Sequence, residues 1–177
     1  MNLNELTDDE FARYLALIYR VAGIRIAETK RVLVSNRVRR RLRATGIETF
    51  AAYYAFLTSP KGTGEMPAFL DAVTTNETYF FRDQAHYDWI GGEFVDLMLA
   101  EAAARRRPRS LRIWSAACST GEEPYSIAIK LADRRADLAG WRLSVLGTDL
   151  SGAALDAARA AVYEERALQR VDAETRR

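Results

Sequence analysis

A run of small and acidic residues at positions 115–126 has the composition of a ligand-binding loop. It follows an apolar run, residues 111–117, that predicts a buried strand, and it leads into a predicted helix. Small residues let backbone N–H groups approach a ligand, and a helix N-terminus favours anionic groups. The alternative is a simple helix cap, in which Thr120 and Glu123 form a capping box or Pro124 is the first helical residue.

A second polar position, Asp149, closes the next predicted strand, residues 143–148. In an open α/β sheet, an acid at this position accepts hydrogen bonds from ribose hydroxyls. Asp149 could equally be the N-cap of the following helix, and its position alone does not separate the two. Together with the loop at 115–126, however, it would hold the second end of one cofactor at the same sheet edge, which favours ligand binding.

Two further segments combine charge with aromatic or apolar residues. Residues 74–83 interleave polar and aromatic side chains, and by chemistry alone they predict a loop that caps the next helix. Residues 30–43 are strongly basic. An arginine-rich helix is most often a solvated face; an acidic protein partner and nucleic acid are the other interpretations. No second basic surface supports nucleic-acid binding.

The composition excludes several classes of protein. Of 177 residues, 49% are hydrophobic and 28% charged, which is typical of a folded globular chain with a net charge of only +2. The single cysteine, Cys118, excludes an intrachain disulfide, and with the single His86 it excludes a four-ligand structural zinc site. No apolar run predicts membrane insertion, and the N-terminus is acidic. A cytoplasmic protein without a metal is predicted.

Helices should position the first part of the chain. They are predicted at about 7–22, 28–45, 48–57 and 67–73, the first with a Thr7–Glu10 capping box. Gly23 and Gly46 should end the first and second helices. The apolar residues at helical spacing, which should face the core, are Phe11, Tyr14, Leu15, Ile18 and Val21 on the first helix and Val34, Val38 and Leu42 on the second. A longer helix after Asp83, to about residue 107, should bend at Gly91-Gly92. After Pro108 the pattern becomes strand, helix (124–134), strand, helix (151–161), which implies a parallel sheet with right-handed crossovers.

The predicted organisation is a helical domain at 1–84, a connecting helix at 85–108 and an α/β unit at 109–177. Two strands make a poor sheet, because both of its edges and both of its faces need cover. We therefore expect further strands to be missing on the C-terminal side. An exposed sheet edge also predicts self-association between copies of the chain.

Four blocks of residues together resemble the CheR family of chemotaxis-receptor glutamate O-methyltransferases. Three of them match in order: 74–82, 114–126 and 147–159. The fourth, at 23–46, is similar to the family's N-terminal helical domain. The resemblance implies a truncated Rossmann-like methyltransferase domain after the helical one. It also implies S-adenosylmethionine as cofactor, with S-adenosylhomocysteine as product, and methyl transfer to glutamate carboxylates of chemoreceptors.

The resemblance also assigns residues. Cofactor contacts fall on five positions: Asn76, Thr78, Arg82, Glu123 and Asp149. Within the acidic pair, Glu123 is favoured over Glu122, although the sequence does not separate them. Arg82 is implied to lie near the transferred methyl group, where an arginine could hold the acceptor carboxylate through two hydrogen bonds. Contacts to the acidic helices of the receptor's methylation region fall on the basic helix, at Lys30, Arg37, Arg40 and Arg41.

Members of the family continue past Asp172 through further strands that complete the cofactor pocket. The 177 residues are therefore expected to be an incomplete fragment, which puts the activity of the fragment itself in question. The alternative function is a non-catalytic module that docks an acidic helical partner through its arginine-rich helix.

Overall fold

The computed structural model describes residues 5–74, 77–173 and 175–176. These residues form two compact units, each with its own apolar core. The first comprises residues 1–75 with 150–152, and the second comprises 76–149 with 153–177. A helical unit followed by a parallel α/β unit is the order of folds that the sequence predicts.

The first unit consists of helices α1 (Asp8–Ala22), α2 (Arg31–Thr45), α3 (Phe50–Leu57) and α4 (Met66–Val73), with short 3₁₀ turns at Glu28–Lys30 and Pro60–Gly62. The predicted capping box is confirmed: the Glu10 amide donates to Thr7 Oγ1, and the Thr7 amide donates to the Glu10 carboxylate. Gly23 and Gly46, the predicted stops, take left-handed conformations after α1 and α2.

Aromatic rings fill the centre of this first core. Tyr14, Tyr53 and Phe69 are fully buried, and the Tyr14 hydroxyl donates to the carbonyl of Phe50. The predicted stripe on α2 is buried as expected, at Val34, Val38 and Leu42. Because these residues face the core, the arginines of α2 lie on its other faces.

The second unit begins with one long, kinked helical stretch. Helix α5 (Gln84–Trp89) continues through a π-helical segment (Ile90–Phe94) into α6 (Val95–Ala103). Gly92 inside the π segment has non-helical dihedrals, φ −101° and ψ −106°, so the predicted bend is confirmed. Arg134 supports the kink, donating to the carbonyl of Gly91 at 2.6 Å and to Asp96 at 2.7 Å.

Two parallel strands, β1 (Ser110–Ala116) and β2 (Arg142–Thr148), carry the rest of the unit, with α7 (Glu122–Asp133) between them and α8 (Gly152–Ala160) after them. Leu111 pairs with Leu143 and Ile113 with Val145 on the face that α7 covers. On the opposite face Trp114 is 67% exposed. Self-association through this sheet stays a prediction.

Of the described residues, those up to 74 belong to the first unit and those from 77 to 149 to the second. Phe80 and Phe81 are buried in the second core, and α5 and α6 pack with it. The domain boundaries predicted at residues 84 and 108 stay predictions. None of the helices within the described ranges combines the length and apolarity needed to cross a membrane.

Candidate functional site

The loop between β1 and α7 holds a strained backbone. Ala117 and Ser119, neither of them glycine, have φ of 60° and 48°, and Gly121 has φ of 98°. Such conformations persist only where surrounding contacts fix them, and they concentrate at functional sites. Here the Cys118 amide donates to the carbonyl of Thr148 at 2.9 Å, which fastens the loop to the end of β2.

Gly121 is required both by its dihedrals and by close packing. A Cβ atom there would lie 2.8 Å from the Tyr163 hydroxyl and 2.9 Å from Ala158 Cβ. The Tyr163 hydroxyl donates to the carbonyl of Thr120 at 2.8 Å. The loop is therefore held from α8 and the segment that follows it. Gly121 is also the N-cap of α7, so a capping box from Thr120 does not form.

Asp149 lies directly after β2 and faces this loop. Its Oδ2 atom accepts the Ser119 amide at 2.7 Å. Helix α8 begins at Gly152, which places Asp149 before the N-cap position. The helix-cap interpretation of Asp149 is therefore wrong, and its half-buried carboxylate stands where the carboxyl ends of the two parallel strands meet.

The two glutamates at the start of α7 point into different surroundings. Glu122 is 4% exposed, and its Oε2 accepts the Thr120 hydroxyl at 2.6 Å. Glu123 is exposed and accepts the Ser115 hydroxyl at 2.6 Å, at the end of β1. Glu123 is therefore the exposed residue of the pair, and Glu122 is almost fully buried.

Two clefts adjoin these groups, both inside the second unit. The larger, called here the Arg82 cleft, has a volume of about 550 Å³ and contains both Arg82 and Glu123 in its wall. The second, of about 420 Å³, contains Thr78 and Glu122. Arg82 and Glu123 thus line one cleft, and Thr78 and Glu122 line the other. Asp149 is not among the lining residues of either cleft, and Asn76 falls outside the described residues.

Arg82 itself is exposed, and its Nη1 donates to the carbonyl of Glu77 at 3.0 Å. The rest of its guanidinium group has room to meet a ligand in the cleft. His86 lines the same cleft, with Nδ1 3.2 Å from a carboxylate oxygen of Asp83. Burial raises the pKa of the Cys118 thiol. The side chain packs against Gly147, and this packing role is enough to explain a small residue at position 118.

Comparison with known families assigns both units. Residues 9–74 match the model described as CheR methyltransferase, all-alpha domain, and residues 76–177 match CheR methyltransferase, SAM binding domain. The chain belongs to the CheR methyltransferase family. The fold class expected from the sequence, a helical domain followed by a methyltransferase domain that binds S-adenosylmethionine, is confirmed.

Curated relatives carry the name chemotaxis protein methyltransferase. The chain is 45% identical to that of Salmonella typhimurium over 158 residues, covering 89% of this chain and 51% of the relative. It is 43% identical to that of Escherichia coli (93% and 54%) and 34% identical to that of Borreliella burgdorferi (93% and 58%). The chain therefore spans about half the length of the relatives it matches.

S-adenosylmethionine is the cofactor of this CheR domain, and the donor set fits it. The methionine end of that molecule carries both an ammonium and a carboxylate group. The Arg82 cleft offers one group of each opposite sign, the guanidinium of Arg82 and the open carboxylate of Glu123. Asp149 adds a carboxylate beside the strained loop, as a ribose would need.

Two of the four basic residues predicted to contact a partner form hydrogen bonds within the helical unit instead. Arg37 donates to the carbonyls of Val73 and Thr74 at 2.5 and 3.0 Å. Arg41 forms two hydrogen bonds to Glu65, at 2.8 and 2.9 Å. Both contacts lie inside the helical unit, whereas Lys30 and Arg40 are exposed. Arg37 and Arg41 are therefore poor choices for testing a partner surface.

Sequence reasoning missed the aromatic walls of the Arg82 cleft. Trp89, Trp114 and Tyr79 all line it, and the Trp114 indole donates to Thr148 Oγ1 at 2.9 Å. Alternation along β1 puts Trp114 on the face opposite Leu111 and Ile113, but Ile113 lines the cleft as well, so alternation alone does not mark the cleft residues. No pattern in residues 84–89 marks Trp89 as a cleft residue.

Proposed function

We propose that this chain is the cofactor-binding part of a methyltransferase that esterifies glutamate side chains of chemotaxis receptors, with S-adenosylmethionine as methyl donor. The observation that carries the proposal is the presence of Arg82 and Glu123 on one cleft of the SAM binding domain. The names of the relatives support a protein methyltransferase of chemotaxis. A glutamate carboxylate is the proposed acceptor of the methyl group.

Five residues are proposed to hold the cofactor: Glu123, Arg82, Asp149, Thr78 and Asn76. Glu122 is buried and already accepts the Thr120 hydroxyl, whereas Glu123 is open, so Glu123 is the better partner for a ligand ammonium group. When bound, the cofactor supplies an electrophilic methyl group on a sulfonium centre.

A glutamate acceptor needs little from the protein beyond placement. Its carboxyl titrates near ~4.3, so the nucleophile is already ionised at neutral pH and no general base is required. The protein must align the reacting atoms within roughly 3–3.5 Å and exclude water. Arg82 can orient the acceptor carboxylate through its planar fork. The apolar wall formed by Trp89, Ile113 and Ile127 limits water in the cleft.

Titration with S-adenosylhomocysteine tests cofactor binding directly. We expect amide chemical shift changes confined to the second unit. Because the relatives are about twice as long, we expect a dissociation constant above the micromolar range. Glu123→Gln should weaken binding about tenfold, since it removes one charge-assisted contact. Glu93→Gln, an exposed acid outside both clefts, is the matched control.

If S-adenosylhomocysteine gives no shift changes at millimolar concentration, the chain is better explained as a non-catalytic module. If Glu123→Gln and Glu93→Gln behave alike while the parent binds, the cofactor site is retained but Glu123 is not part of it.

The helical unit is proposed to bind the acidic methylation region of a receptor through Lys30 and Arg40. Both are exposed, and together they can meet carboxylates along a helix. Charge reversal at both positions should weaken binding of an acidic methylation-region peptide at least tenfold at physiological salt, without loss of helical content. Arg13→Glu, an exposed arginine on α1, is the control.

Duplex DNA should bind less tightly than the peptide. Equal binding of peptide and DNA, or equal effects of the double reversal and of Arg13→Glu, would leave a solvated basic face as the explanation.

A further inference from the structure

The backbone immediately before Arg82 is held in a conformation that an aromatic residue rarely adopts. Phe81 has φ of 54°, in the left-handed region, and its side chain is 5% exposed. For a bulky residue this region carries a steric penalty. Left to itself, the chain would relax to negative φ, and the direction in which Arg82 leaves the backbone would change.

Ser126 on α7 holds this turn from inside the core. Its hydroxyl oxygen accepts the Phe81 amide at 3.1 Å, and its proton is donated to the carbonyl of Glu122 at 2.6 Å. A serine inside a helix commonly makes the second of these bonds. Since that bond fixes the proton, the lone pairs of the oxygen remain for Phe81. Ser126 is 0% exposed, so water cannot replace it.

Further contacts hold the same turn from its other side. Arg170 Nη1 donates to the carbonyls of Phe81 and Arg82, at 3.3 and 3.0 Å, and its guanidinium lies 5.0 Å from the centre of the Tyr79 ring. The Phe81 ring packs edge-on against Tyr87, with centroids 5.3 Å apart. A strained residue with this many restraints matches the pattern found at functional sites.

We propose that Ser126 is a positioning residue for Arg82. By holding Phe81 in its left-handed conformation, the hydroxyl sets where the Arg82 guanidinium stands on the wall of its cleft. Ser126 lies one turn after Glu123 on α7, so one helix carries one charged group of the cleft and sets the place of the other. This inference rests on the proposed function, in which both groups meet the cofactor.

The experiment compares Ser126→Ala with Ser35→Ala. Ser35 is the matched control, because it too is 0% exposed and its hydroxyl accepts a distant backbone amide, that of Leu6 in the first unit. We expect Ser126→Ala to speed hydrogen exchange of the Phe81 amide about tenfold and to weaken S-adenosylhomocysteine binding about tenfold, on the scale of one lost buried hydrogen bond. Ser35→Ala should change neither.

A double-mutant cycle with Arg82→Met separates positioning from a general loss of packing. If Ser126 acts through Arg82, Ser126→Ala should have no further effect on affinity in the Arg82→Met background. An equal loss in both backgrounds, or unchanged exchange at Phe81, overturns the proposal. Should Ser126→Ala fail to fold, Arg170→Met, at an exposed position, tests the same turn in the same cycle.

Failure of the proposed function has a different signature. In that case the parent chain binds no S-adenosylhomocysteine at all. The contrast between Ser126→Ala and Ser35→Ala in Phe81 exchange then still decides whether Ser126 holds the turn: faster exchange in Ser126→Ala alone supports it, and equal rates sink it.

Discussion

Replacing Arg82 by lysine should lower kcat for methyl transfer by about 100-fold or more while the free energy of unfolding hardly changes. Lysine keeps the charge but lacks the planar fork that can hold a carboxylate through two parallel hydrogen bonds. Stability should be spared because Arg82 is exposed and donates to one backbone carbonyl, that of Glu77. The measurement is transfer of labelled methyl to a receptor fragment, using the chain extended to the length of its relatives.

The kinetic constants distinguish two roles of Arg82. A fall in kcat at unchanged KM for the cofactor supports orientation of the acceptor, whereas a higher KM at normal kcat means that Arg82 only binds the cofactor. Arg159→Lys, at an exposed arginine on α8, is the control. Near-normal kcat with reduced stability would show that Arg82 merely braces the segment before α5, and its catalytic assignment would be withdrawn.

Replacing Glu65 by alanine should destabilise the helical unit by about 3 kcal/mol. Glu65 accepts both hydrogen bonds of Arg41 and, at 2.7 Å, the hydroxyl of the fully buried Tyr53. Alanine would leave a partly buried guanidinium and a buried hydroxyl without their acceptor. Chemical denaturation followed by circular dichroism measures the loss, with the exposed Glu48→Ala as control.

The contacts of Glu65 with Arg41 and Tyr53 should also make the free energy of unfolding depend on pH. Burial favours a higher pKa for the Glu65 carboxyl, but the hydrogen bonds from Arg41 and Tyr53 outweigh it, so the pKa of Glu65 is lowered. A lowered pKa means that this stabilisation is fully present above the unfolded value, about 4.3, and is lost as pH falls through the folded value. In Glu65→Gln, the free energy of unfolding should therefore fall less steeply as the pH is lowered through this range. The same acid dependence in Glu65→Gln and the parent chain would contradict a stabilising role of the ionised Glu65 carboxylate.

Much of the fold follows from local signals in the sequence. The capping box of Thr7 and Glu10, the stops at Gly23 and Gly46 and the parallel pairing of the strands all depend on residues close together in the chain, or on the alternation of strands and helices. The apolar stripe of a helix predicts less well which residues are buried near the end of the helix. Val21, predicted on the inner face of α1, is 42% exposed, whereas the unpredicted Leu17 is buried.

The site could be predicted only where its residues are consecutive. The loop and Asp149 follow from strand endings, but Glu122 and Glu123 are neighbours on a helix, and what packs around α7 decides which of them is open. Arg41 finds its partner 24 residues away, and Phe81 finds Ser126 45 residues away. No local sequence pattern predicts contacts between residues so far apart. The ion pair of Arg41 and the strained turn at Phe81 could therefore not be predicted from the sequence.

The division into two cores also divides the protein optically. All three tryptophans, Trp89, Trp114 and Trp141, belong to the second unit, while the first contains tyrosine but no tryptophan. Tryptophan emission will therefore follow the unfolding of one core, and circular dichroism will follow both. Because Trp89 and Trp114 line the Arg82 cleft and are exposed, their emission should also respond when a ligand enters it. The protein thus contains its own fluorescent reporter of cleft occupancy, against a helical unit that is silent at those wavelengths.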